Sequence, residues 1–485
     1  MARRRPLAVL VVLLAGGCKL GPDYVRPEVP LPEHWREIDQ AEADTLANTP
    51  WWNLFQDPVL QELIRIALQE NKDLAVAVER IEEARARYGI SKADLMPKVD
   101  ATASAGELQL SKQGIPGLPP STDENGDLYS AGGSLFWELD IFGRIARATE
   151  ADLAILYSTE ETRRAVVLAL VADVAATYVE LRELDRSLEI SRSTLESRRA
   201  YVELARDRFE GGLTSELDWR QAQAEYHRID SFVRDFERLV AQKENQLSVL
   251  LGRNPGPIRR GQPLGEMPVP AAVPAGLPAA LLDRRPDLLA AEETLASFNA
   301  RIGEAKALLY PSFSITGFYG GQSTDLKDLL DNGARTWSIA GNLLQPIFNS
   351  GQNQERVNVA ESLQRQALSA YEQAILQAFR EVDDSLVGYQ KAGERRTSEG
   401  ERVSAENKVL ELAELRYRGG VSDYLEVLDA QRQLFDAQLS ETGIIRDQLV
   451  ALIQLYKALG GGWSATQGEP AAGPAPAARP APAAP

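Results

Sequence analysis

The chain has 485 residues, one cysteine, two histidines and a formal net charge of −17, from 53 Lys+Arg against 70 Asp+Glu. This acidity excludes a nucleic-acid partner, since nothing would neutralise the phosphates. His34 and His227 stand apart and Cys18 is alone, so neither a His/Cys metal cluster nor a Ser-His-Asp triad can be assembled. No glycine-rich phosphate loop follows a strand, and no two carboxylates stand out as acid and base. The expectation is a protein with no catalytic residue, no metal and no enzymatic activity.

Residues 1–17 read as a signal peptide: Arg3, Arg4 and Arg5 precede a short apolar run over residues 7–14, too short to cross a bilayer. The run ends in Ala15-Gly16-Gly17-Cys18, which looks like a bacterial lipobox, with alanine where leucine is commoner. Cys18 is therefore the expected lipidation site, and a covalent lipid the only non-protein group. Lys19 follows it rather than aspartate, which favours the outer membrane. Without the three signal arginines, 50 basic residues face 70 acidic ones, a charge of about −20. Residues 18–56 form a lipidated arm. The Pro/Ala-rich tail over residues 463–485 cannot bury a core and is expected to be disordered.

Between arm and tail the chain repeats itself. Asp73-Leu74, Gly89, Ala93 and Pro97 return as Asp287-Leu288, Gly303, Ala307 and Pro311, and Ile141-Phe142 as Ile347-Phe348. Gly211-Gly212 and Ala222-Gln223 return as Gly419-Gly420 and Ala430-Gln431. The repeats span residues 57–252 and 285–462, joined by a linker over residues 253–284, and are far too long for a solenoid unit. In the first, residues 145–210 contain neither glycine nor proline, predicting a helix of roughly 100 Å. Val174, Leu181, Leu188, Leu195, Val202 and Phe209 fall at intervals of seven, a coiled-coil stripe. The matching Val382, Tyr389, Val403, Leu410 and Tyr417 continue it in the second, with Arg396 the exception.

Each long helix ends at a double glycine, with tips at residues 211–214 and 419–422. Thr214-Ser215 and Ser422 are candidate caps for the returning helix, which runs to Gly252 or Gly460. The rest of each repeat alternates with period two. Tyr129, Ala131, Gly133, Leu135, Trp137 and Leu139 share a face opposite Ser130, Ser134 and Glu138. Phe313, Ile315, Gly317 and Tyr319, then Trp337, Ile339, Gly341 and Leu343, do the same in the second repeat, and Val99, Ala101, Ala103 and Ala105 more weakly in the first. These give two β-hairpins, about 97–142 and 311–348, with one apolar and one hydroxylic face. Such strands suit a transmembrane barrel, but four cannot close one; three chains would supply twelve.

The arm motif Gly21-Pro22-Asp23-Tyr24 with Pro27, then Trp51-Trp52, Phe55 and Asp57-Pro58, opens a set of motifs. Trp137 through Arg144, Arg284-Arg285-Pro286-Asp287 and Tyr424 through Arg432 complete it. Together these closely resemble the outer membrane factor lipoproteins of the OprM/NodT type, relatives of TolC, over nearly the whole mature chain. The resemblance implies an α+β membrane protein: a homotrimer whose twelve-stranded outer-membrane β-barrel, four strands per chain, is continuous with a long periplasmic α-helical barrel. It implies the exit duct of a tripartite efflux pump, with a periplasmic adaptor and an inner-membrane RND-type transporter, exporting small molecules such as drugs. By the same resemblance Gly211, Gly212, Leu213, Thr214, Gly419, Gly420, Val421 and Ser422 are adaptor-docking tips. Leu425, Glu426, Asp429 and Arg432 are the periplasmic gate, set against the bland alternative of an Asp429–Arg432 surface pair. Leu217, Asp218 and Trp219 stand at comparable height on the first hairpin, so the two are not equivalent there. A duct for type I protein secretion, and a periplasmic coiled-coil lipoprotein that forms no channel, remain alternatives. The amphipathic strands argue against the last.

Overall fold

The computed structural model describes residues 19–30, 32, 35, 55–109, 125–270, 273 and 278–461. Cys18, His34, Trp51, Trp52, the signal segment and the Pro/Ala-rich tail lie outside them. The first repeat runs α1 (Pro58–Glu70), α2 (Lys72–Ala93), β1 (Lys98–Gln109), β2 (Asn125–Leu139), α3 (Arg144–Glu210) and α4 (Glu216–Leu250). The second runs α5 (Leu281–Arg284), α6 (Pro286–Ala307), β3 (Ser312–Ser323), β4 (Arg335–Leu344), α7 (Gln352–Arg418) and α8 (Tyr424–Ala458). Three equivalent pairs of helices have equal lengths: 22 residues in α2 and α6, 67 in α3 and α7, 35 in α4 and α8, whereas α1 has 13 residues and α5 has 4.

Two compact units result, each drawing on both repeats. Among the described residues, one takes those of 19–29, 76–163 and 287–374; the other takes those of 30–75, 164–286 and 375–461. In the second unit, Asp57 starts α1 by accepting from the Val59 amide at 2.8 Å, and Pro58 occupies the first helical position, where no amide is needed. Leu60, Leu63, Ile64 and Ala67 then form one buried face, the spacing of an amphipathic helix. That face joins Val174, Tyr178 and Leu181 of α3, Leu247 of α4 and Ile453 of α8 in the main core.

In the first unit the four strands form one antiparallel sheet in the order β1-β2-β3-β4. Its register places the apolar sets opposite one another: Val99 faces Leu135, Trp137 faces Ile315, and Tyr319 faces both Gly133 and Trp337. All four apolar rows therefore share one face. The other face carries Asp100, Thr102, Ser104, Ser130, Ser134, Thr316 and Asn342, with Leu128, Phe136, Phe318 and Leu344 among its apolar residues. Ser104 bonds Ser130 at 2.7 Å and Asn342 bonds Thr316 at 3.2 Å across this hydroxylic face. β4 ends at Leu344, so Ile347 and Phe348 lie beyond the strand, exposed, and the second β-hairpin is shorter than the sequence pattern indicates.

The two helical hairpins turn identically. Gly212 and Gly420 have φ of 71° and 72°. Leu213 N donates to Arg208 O at 2.8 Å and Val421 N to Arg416 O at 2.9 Å, closing the left-handed C-cap. The next helix starts after Ser215 in one hairpin and Asp423 in the other, neither with a side-chain cap bond. Thr214 and Ser422, expected as caps, do not occupy the cap positions.

Candidate functional site

Three places carry the expected functional residues: the arm next to Cys18, the tips, and the helix faces just beyond them. In the arm every residue of Gly21-Pro22-Asp23-Tyr24 has a structural partner. A Cβ on Gly21 would lie 2.4 Å from Gly303 Cα, so two glycines let the arm's backbone touch α6. Asn299 Nδ2 donates to Pro22 O at 2.9 Å, and Tyr24 donates to Glu292 Oε1 at 3.3 Å. Arg26 adds a charge-assisted bond to Glu292 Oε2 at 2.6 Å. Burial, then the Glu292 carboxylate, push the Tyr24 hydroxyl pKa up, so it stays a donor.

The α3 side of this fastening is Arg147, only 2% exposed. It donates to Leu20 O at 2.9 Å, Gly21 O at 3.3 Å and Asp23 Oδ1 at 2.7 Å. Its surroundings explain the run from Trp137 to Arg144. Trp137 donates to Leu95 O, Arg144 pairs with Glu138 at 2.8 Å, and Asp140 accepts from the Ala146 amide to start α3. Leu20 N donates to Phe142 O, and Lys19 lies against Gly143. The residue after Cys18 is thus fixed where β2 gives way to α3, at the end of the sheet.

At the tips Leu213 and Val421 are exposed, as are all four double-glycine positions. Thr214 and Ser422 are half-buried, with hydroxyls that have no protein partner. Behind the tips the hairpins pack through small and aromatic residues: Ala205 and Tyr201 of α3, Ala222 of α4, Ala413 and Tyr417 of α7, Tyr424 and Leu428 of α8. Arg208 stacks over the Tyr417 ring at 4.7 Å, and Trp219 stacks on Phe209. Burial pushes the Tyr424 hydroxyl up to about 12.

Leu425, Glu426, Asp429 and Arg432 all lie on the exposed side of α8. They are not one self-contained cluster. Glu426 pairs with Arg416 of α7 at 2.9 Å, and Arg432 reaches across to Glu225 of α4, also at 2.9 Å. The Asp429–Arg432 pair that the spacing allows does not form, because Glu225 holds the guanidinium. Asp429 keeps no ion-pair partner among the described residues. Asp218 and Trp219 of the first hairpin are half-buried, with Trp219 occupied by its stacking.

The sequence model of the family described as outer membrane efflux protein matches residues 63–253 and 277–461. The chain belongs to this family. It is 37% identical over 472 residues to the solvent efflux pump outer membrane protein SrpC of Pseudomonas putida, covering 96% of this chain and 99% of that one. It is 32% identical over 468 residues to the probable outer membrane lipoprotein SilC of Salmonella typhimurium, covering 96% and 100%. Among solved structures, the open state of the Neisseria gonorrhoeae MtrE outer membrane channel aligns with a TM-score of 0.81 at 31% identity, covering 92% of this chain and 98% of that one. The α+β architecture is that of the outer-membrane efflux channels. No described helix is long and apolar enough to cross a membrane.

Sequence reasoning missed Glu225, the fully buried carboxylate to which Arg432 is tied. Arg228, one turn on, binds it at 2.7 Å, and Arg198 of α3 approaches to 4.0 Å. The local run around Glu225 reads as a solvated face. A usable signal was present: Arg198 and Arg228 are equidistant from the tip, so an antiparallel hairpin brings them to the same height. Arg147 was also passed over, and Arg285 entered only as part of a motif. Arg285 donates to Ala458 O at 3.0 Å, at the end of α8, and pairs with Glu381 at 2.8 Å. His227 is exposed on α4, and no group of metal-ligating residues occurs among the described residues.

Proposed function

We propose that this protein is the outer-membrane exit duct of a tripartite efflux pump, working without chemistry of its own. The carrying observation is the sheet. Val99, Tyr319, Trp337 and Ile339 of its apolar face are exposed, and among the described residues β1 and β4 each pair on one side only. An unpaired strand edge is not tolerated in lipid, so the strands must be closed by other copies. Three chains close a twelve-stranded barrel with lipid outside and the hydroxylic face lining water. The names of the relatives, efflux outer membrane proteins for solvents and other compounds, support small-molecule export.

In this reading the lipid on Cys18 and the barrel share one membrane, because Lys19 is held where β2 meets α3. The exposed tips, Leu213 and Val421 at their ends, are the docking points for a periplasmic adaptor, which links the duct to an inner-membrane transporter of the RND type. Energy comes from that transporter. Three copies of Leu425, Glu426 and Asp429 constrict the periplasmic end. The test is single-channel conductance in a planar bilayer. Replacing Glu426 and Asp429 together with alanine is expected to raise conductance, since it removes both the carboxylates and the Arg416 clip. A conductance unchanged from wild type would refute the constriction. Failure to form any pore would refute the duct.

A further inference from the structure

Glu225 and Arg432 are separated by 207 positions, and their meeting decides which charge the constriction shows. Arg432 has two carboxylates within its reach. Asp429 is one turn back on its own helix, exposed, and a surface pair at that spacing is weak. Glu225 is 0% exposed, and a buried carboxylate stripped of water demands cationic donors. Arg432 Nε meets Glu225 Oε2 at 2.9 Å, while Arg228 takes Oε1 at 2.7 Å. Burial works against the carboxylate's charge, but the bonds from Arg228 and Arg432 outweigh it and hold its pKa below the ordinary glutamate value. Arg432 is 45% exposed, so its guanidinium could swing to solvent if released.

We infer that Glu225 is a selectivity-determining residue of the duct: by sequestering Arg432 it keeps the Asp429 ring uncompensated, and the constriction cation-selective. This rests on the reading of Asp429 as a lumen residue, given above. Glu225 touches no cargo; it acts through the arginine. Without it, Arg432 becomes free to pair with Asp429, and the trimer's three acidic positions lose their net charge together.

The experiment is the reversal potential of the reconstituted channel under a KCl gradient. Wild type is expected to lie towards the potassium potential, and Glu225→Gln to move towards zero. The double variant Glu225→Gln/Arg432→Gln should return to the wild-type value, because no guanidinium remains to neutralise Asp429. Were the loss due instead to a channel pulled open, the double variant would stay non-selective, and the inference would fall. Arg432→Gln alone is expected to leave selectivity intact; a large gain would show that the arginine already acts on the lumen, with the same consequence. This single variant also decides the matter if Glu225→Gln does not assemble. Asp429→Ala separates the layers of the argument. Its failure to change selectivity removes the constriction reading, and the inference with it. A change there with none in Glu225→Gln overturns the inference alone.

Discussion

Replacing Arg147 with methionine should free the arm while leaving the helices in place. The side chain is 2% exposed and serves Leu20 O, Gly21 O, Asp23 and Glu150. Methionine keeps much of its volume but offers no donor, so two backbone carbonyls lose a charged partner at about 1–3 kcal/mol each. The Asp23 bond contributes far less, since its side chain is 89% exposed and a solvated pair is worth about 1 kcal/mol at most. The total, roughly 3 kcal/mol, corresponds to about a hundredfold shift in the arm's docking equilibrium. Hydrogen exchange of the amides in residues 19–29, on protein purified in detergent, reads this directly. Arg147→Met should lose most of their protection, Arg147→Lys part of it, and Asp23→Ala little. Equal effects of Arg147→Met and Asp23→Ala would refute the reasoning, because the carbonyls would then not be what the arginine holds.

Two further outcomes follow from the same packing. Gly89 and Gly303 are equivalent positions in the repeats, yet a Cβ on Gly89 meets nothing, whereas one on Gly303 would lie 2.4 Å from Leu20 O. Gly89→Ala should therefore stabilise by up to about 1 kcal/mol through helix propensity, seen as a higher Tm, and Gly303→Ala should instead raise exchange in the arm. At the tips, Glu225 has a folded-state pKa below its ordinary value of 4.5. Its contribution is complete above that value and is lost as pH falls through the lower folded-state value, so exchange around residues 198, 225 and 432 should rise in acid below about pH 4.5. Glu225→Gln should abolish that dependence; if it persists, another group is responsible.

The repeat made most of the fold legible, because equal spacing between copies of a pattern fixes equal elements: the three longer pairs of helices have the same lengths, and Gly212 and Gly420 have nearly the same φ. Strand faces were legible for an equally local reason, since side chains alternate strictly and register cannot slip without exchanging the faces. The heptad stripe was less informative. Val174 and Leu181 are fully buried, but Leu188, Leu195, Val202 and Phe209 are only partly so, while the polar Ser191 and Arg198 of the same helix are buried. A period of seven establishes that a stripe exists; it does not say which stripe faces the chain's own hairpin and which faces something else. In a protein that assembles around an axis, both sides of a helix need partners.

Divergence between the repeats was legible only in part. Asp429 and Arg432 stand out as charges close together on one helix, and local spacing pairs them with each other. The structure gives Arg432 to Glu225, because a desolvated carboxylate binds a guanidinium more strongly than an exposed one does. That preference depends on burial, which is set by packing between hairpins far apart in sequence. Gly303 makes the same point at the other site: its copy Gly89 is open, and only the arm's approach makes the second glycine obligatory. In both cases the duplicated scaffold supplies two equivalent surfaces, and a contact made on just one of them, by the arm or by a buried carboxylate, gives the two halves different work.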